Sequence, residues 1–159
     1  MKFRRHSADS WQLCDIHPLF GSLLEELPQA AGRHKKARQR LYPDPSPNEQ
    51  NKSLRRDWDD HVRPGLEQLF ASSREIVQRD VSALGRNGQA TQLVIPSGHL
   101  DAWLNALNQA RLIIVEENNF TEPDLDHREP PDLTTRRGLA LLKVHFYAHL
   151  QELLVEAAG

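Results

Sequence analysis

Residues 97–117, SGHLDAWLNALNQARLIIVEE, constrain the fold of this chain more than any other stretch. Leu100, Trp103, Leu104, Leu107, Ile114 and Val115 recur at helical spacing, while Asp101, Asn105 and Gln109 fall away from them. Such a run predicts a central helix with a broad buried face. Ser97, directly after Pro96, is placed to cap it. Arg111 stands inside the apolar stripe, where a guanidinium needs a partner.

The elements around this helix follow from the same periodicities. Residues 3–5 and 11–16 read as a hairpin turning at Ser7-Ala8-Asp9-Ser10, and residues 89–95 (QATQLVI) as a third strand. The segments WQLCDIHPLF and TQLVIPSGHL share a strand-into-helix layout, which places their strands in one small sheet. The first helix opens at His17-Pro18, buries Leu19, Phe20, Leu23, Leu24 and Leu27, and is expected to stop at Pro28. From Asp57 a second helix carries Leu66, Leu69, Phe70, Val77, Val81 and Leu84 as its apolar stripe. Pro64 falls at its first turn or a kink, and GRNG (85–88) ends it. Asp80 interrupts that stripe as Arg111 interrupts the central one, so the two opposite charges are expected to meet as a buried ion pair. The last helix, capped by Thr134 or Thr135, is expected to bury Leu139, Leu142, Phe146, Leu150, Leu153 and Leu154.

The fold class is therefore α+β and predominantly helical, with four to five helices packed with a small antiparallel sheet of two to three strands. Residues 1–159 are expected to form a single domain. It carries a flexible basic and proline-rich connection at about 29–56 and a long acidic loop at 118–133. Mean hydropathy is −0.63, and no apolar run reaches membrane-spanning length. The basic N-terminus lacks the apolar core of a secretory signal, so a cytoplasmic location is expected. Cys14 is the single cysteine, which excludes an intrachain disulfide and a cysteine-rich zinc site.

Three groups of residues could carry function. Asp80 with Arg111 is first: a structural pair, or an anchor for an ionisable ligand. Second, His145, His149 and Glu152, with Glu156, line one flank of the last helix at spacings suited to a divalent metal, with His127 or Asp126 as further donors. Phe146 follows the first histidine where the zinc-protease signature needs glutamate, so a polar helix flank is the plainer reading. Third, Arg33, Lys35, Lys36, Arg38 and Arg40 could neutralise phosphates or an acidic protein surface. No helix-turn-helix, zinc finger or aromatic RNA-binding motif accompanies them, and a solvated charged segment explains them more simply. The sequence has no glycine-rich phosphate loop and no nucleophile elbow, so it leans away from an enzyme, and no cofactor is implied.

WLNALNQARL (103–112) and HLQELLVEA (149–157), with the order of hairpin, leucine-rich helix and RRDWDD-like segment, resemble a bacterial family of undefined domains that includes the actinobacterial oxidative-stress regulator AosR. The resemblance implies a cytoplasmic, regulatory, partner-binding protein, of a kind often encoded beside the adaptor of the Clp protease. The redox behaviour attributed to that regulator depends on paired cysteines, and this chain has Cys14 alone. A non-enzymatic regulatory or protein-interaction module is the leading expectation. Its contact region would be an apolar groove or the 118–133 loop, with nucleic acid at the basic segment as an alternative and homo-oligomerisation left open. A metal-binding protein or metal-dependent enzyme using His145, His149 and Glu152 is the competing class.

Overall fold

The computed structural model describes residues 1–32, 35–43, 45, 52–84, 91–126 and 129–159. Strand β1 (Lys2–Ser7) turns into β2 (Ser10–Ile16), and β3 (Thr91–Pro96) pairs on the other side of β2, giving an antiparallel sheet in the order β1-β2-β3. Alternation sorts the faces. Leu13, Leu93 and Ile95 point inward and are at most 2% exposed, whereas Gln12 bridges the strands by accepting from Arg4 and donating to Gln92. Phe3 stacks on Trp11 with ring centroids 5.4 Å apart. The pairing of β2 with β3 bears out the two strand-into-helix segments as neighbours in one sheet.

Four long helices cover the inner face: α1 (Pro18–Gly32), α4 (Arg63–Ser82), α5 (Leu100–Asn118) and α7 (Arg136–Ala158). Short helices α2 (Arg38–Leu41), α3 (Lys52–Asp57) and α6 (Glu122–Leu125) lie between them. The α+β, predominantly helical class is borne out. Helix α5 is the axis of the bundle and packs against α1, α4 and α7. Trp103, Ala106, Leu107 and Ala110 are essentially inaccessible. Asn119, at φ 50°, ends α5 in a left-handed cap, with its own amide and that of Phe120 closing on the Glu116 and Val115 carbonyls.

Several local expectations are corrected. Helix α1 runs through Pro28 to Gly32. A proline inside a helix costs roughly 3 kcal/mol, but Leu24, Leu27 and Ala31 on either side of it are at most 1% exposed, and their burial offsets that cost. Ser97 does not cap α5: it opens a 3-10 turn (Ser97–His99), its hydroxyl has no hydrogen-bond partner, and His99 occupies the cap position. Gln109 was expected to face away from the core and is 1% exposed, because neighbours surround α5 on nearly every side. Helix α7 presents Val144 and Tyr147 to the core and leaves Leu139 at 38% exposure. Thr135 caps α7, accepting from the Gly138 amide at 2.9 Å. Residue 138 must be glycine, since a Cβ there would lie 1.8 Å from the Asp132 carbonyl oxygen. The GRNG turn and the start of the expected third strand at 89–90 lie outside the described residues.

Candidate functional site

The polar centre of the core forms where α4 meets the start of α5. Asp80 is 9% exposed. Its Oδ2 accepts from the Trp103 indole at 2.8 Å, and both its oxygens lie 3.0 Å from His99 Nδ1. The carboxylate thus has two nitrogen partners, which is what a buried charge requires. Arg111 is not one of them. It donates to the Gln151 side chain of α7, whose amide nitrogen in turn reaches the Leu104 carbonyl at 3.3 Å. Geometry explains the miss. Helices α4 and α5 run antiparallel, with Asp80 level with Trp103 and Arg74 level with Gln109. Arg111 lies eight residues beyond Trp103, about 12 Å along the axis at roughly 1.5 Å per residue, and turns toward α7. Burial lowers its pKa from the ordinary value, and Glu152 partly opposes that shift.

The metal-spaced flank of α7 does not converge. His145 Nε2 lies 3.1 Å from the Leu125 carbonyl oxygen, so that ring is tied to α6. His149 and Glu152 approach to 3.8 Å on an exposed surface. Among the described residues no three His, Cys, Asp or Glu side chains gather as a metal-binding group. His127 lies outside them.

The basic segment has more structure than a solvated connection. Ala37, Leu41 and Tyr42 are buried with Ile113 in a second apolar cluster, against Leu66, Phe70 and Leu112. Arg40 is paired with Glu116 at 2.6 Å. Lys35, Lys36 and Arg38 are exposed, and Arg33 lies outside the described residues. Tyr42 sits 5.7 Å from Phe70 between ring centroids; burial first, then Glu67, raises its pKa. A cleft of about 280 Å³ opens between α1, α5 and α7, bordered by Gln29, Ile114, Glu117 and Arg136, with the Lys143–Glu26 pair at 2.6 Å on its wall. That pair neutralises two of its lining charges, and the remaining lining presents no convergent chemistry.

The feature that sequence reasoning missed is on α4. Helix α3 continues through a π turn (Trp58–Val62) into α4, so 52–82 is one helical rod. The Arg63 amide reaches back five residues to the Trp58 carbonyl. Proline at 64 has no N–H for the Asp60 carbonyl and crowds it, and widening the preceding turn relieves the clash. The wider turn also keeps Leu54, Trp58, Val62, Leu66 and Leu69 on the face that continues into Ser73, Val77 and Asp80. That face has two environments. Ser73 and Val77 are at most 2% exposed against α5, whereas Leu54 is 43%, Val62 39% and Leu69 48% exposed. Rod and α5 stay in register from Asp80 back to Phe70; the same register brings Asn118, the end of α5, level with about residue 65, so the rod extends beyond α5 over residues 52–64. The leucine spacing was legible in the sequence. The overhang depends on where α5 stops relative to α4, which local periodicity does not encode.

A helix-dominated α+β domain with an Asp–His–Trp polar centre and a projecting amphipathic rod is the class these features define. The chain belongs to a family described as a domain of unknown function (DUF2017), whose pattern it matches over residues 8–158. No curated protein and no solved structure matches it. Among the described residues no helix is long and apolar enough to cross a membrane.

Proposed function

We propose that this domain is a protein-interaction module with a regulatory role in the cytoplasm, and that the projecting part of the 52–82 rod is its contact surface. One observation carries the reading: Leu54, Val62 and Leu69 recur at helical spacing along one side of the rod and are 39–48% exposed, while Ser73 and Val77 further along it are buried. Solvated apolar residues are ordinary when scattered; their recurrence along one side of a helix marks a contact surface. The resemblance to the family that includes AosR favours regulation over catalysis. Cys14 is buried and is the chain's single cysteine, so regulation would act through binding and not through an intrachain thiol pair. The basic segment is the weaker alternative, because Arg40 is committed to Glu116 and Ala37, Leu41 and Tyr42 point into the body. The histidine flank of α7 gives the metal reading no convergent donors among the described residues.

Photo-crosslinking tests the assignment. A photoreactive residue replaces Leu54 or Leu69 in the full chain, with Val94, 40% exposed on the sheet, as control. Protein adducts, including adducts with a second copy, are expected at 54 and 69 and not at 94. Equal yields at all three positions, or none at 54 and 69, would refute the reading.

A further inference from the structure

We infer that the open edge of β1 takes an extended segment of a partner protein as a fourth strand, and that it selects a segment carrying Asp or Glu at alternate positions. This second surface is separate from the rod and stands on different observations. Strand β1 is one edge of the sheet, with β2 on its inner side and no strand on its outer side. In an antiparallel ladder every second residue of an edge strand points its N–H and C=O away from its neighbour. Among the described residues nothing bonds to the outward backbone groups of 2–6, and five of the six residues of β1 are exposed. Such a row of unpaired groups is what an added strand pairs with.

The side chains decide which strand. Lys2 and Arg4 share one face of β1, and Phe3 on the other face packs against the core. Arg4 rests its Nε and Nη2 on the Gln12 side-chain oxygen at 3.2 and 3.0 Å. That acceptor is neutral, so the charge is not cancelled, and Nη1 has no partner among the described residues. Lys2 lies 3.7 Å from Asp15 with both side chains largely exposed, a pair that water screens. Arg5 turns to the other face, 4.9 Å over the Trp11 ring, and donates to the Ser7 and Ala8 carbonyls. Its partners are also uncharged, so it adds positive potential without touching the added strand. Opposite charges across a strand pair attract and like charges repel. The cations therefore hold the β1 edges of two copies apart and favour an acidic strand. The other edge, β3, carries no charged side chain and offers no such choice. A nucleic acid would meet the cations and leave the backbone row unpaired, so an acidic peptide answers more of what this edge presents.

The test is an NMR titration of the isotope-labelled full chain with the unlabelled heptapeptide TEVEVET. Resonances of residues 2–6 are expected to shift as peptide is added, and the outward amides among them to exchange more slowly. TKVKVKT is expected not to bind. TEPEPET keeps the charges but lacks two N–H groups and the strand geometry, and is expected to bind about tenfold more weakly or worse. Arg4→Glu is expected to weaken TEVEVET by about tenfold and to admit TKVKVKT. Arg4 is exposed, and unmoved α5 resonances confirm that the variant folds. Four outcomes would each overturn the inference: no binding of TEVEVET at millimolar peptide, equal binding of TEPEPET, shifts without added protection at 2–6, or tighter binding of a single-stranded oligothymidylate. None of them bears on crosslinking at 54 and 69, so the rod stands or falls separately.

Discussion

The two ends of the 52–82 rod carry one continuous apolar face and put it to opposite uses. At the C-terminal end Ser73, Val77 and Asp80 are covered by α5, and Asp80 is held by His99 and Trp103. At the N-terminal end Leu54, Val62 and Leu69 meet solvent. The composition of the face does not distinguish the ends; whether another helix lies over it does. Amphipathic periodicity tells which residues seek cover, and the chain's topology decides whether its own body supplies it.

The sharpest way to break this comparison is to make one substitution at both ends. Val77→Asp buries an unpaired charge and is expected to cost more than about 4 kcal/mol, whereas Val62→Asp is expected to change monomer stability by less than about 0.5 kcal/mol. Urea unfolding at low protein concentration reads both, and similar losses would erase the distinction. Next in size, Trp103→Ala should cost about 3–5 kcal/mol through lost packing. Asp80→Ala should cost about 1–3 kcal/mol, because the buried indole N–H loses its acceptor. Both belong to the covered end, and neither should alter association. Tyr147 is fully buried and its hydroxyl donates to the Leu23 carbonyl at 2.8 Å. Tyr147→Phe is therefore expected to cost about 1 kcal/mol.

The smallest effect concerns two surface carboxylates outside the rod. Thr121 donates to Asp124 from its backbone and hydroxyl, and Thr134 does the same to Asp132, which holds both below the ordinary carboxylate value of 3.8. The folded state therefore binds these protons less readily than the unfolded chain. Their contribution is present above the ordinary value and fades as pH falls through their lowered ones. Stability should thus decline on acidification below about pH 4, and the double variant Asp124→Asn, Asp132→Asn should flatten that decline. Unfolding midpoints from pH 6 to pH 3 measure it; an unchanged slope would contradict the assignment.

What could be read from the sequence was what depends on near neighbours. The hairpin, the strand-into-helix order, the apolar face of α5 and the Thr135 cap all follow from spacing within a turn or two. The need for a partner at Asp80 and at Arg111 was also legible. Their partners were not, because pairing them requires the register of α4 on α5 and the rotation that aims Arg111 at Gln151. Pro28 looked like a stop signal since its local cost is visible in sequence and the burial of Ala31 is not. Leu69 reads as a core residue for the same reason. Its spacing is that of a buried helix, and its 48% exposure is set by tertiary packing.

Hydrogen exchange along the rod tests the central claim most directly. If the N-terminal part of the rod is left uncovered by the chain's own body, amides in residues 54–62 should exchange well before those around Val77 and Asp80 in the isolated chain. Equal protection at the two ends would contradict the account.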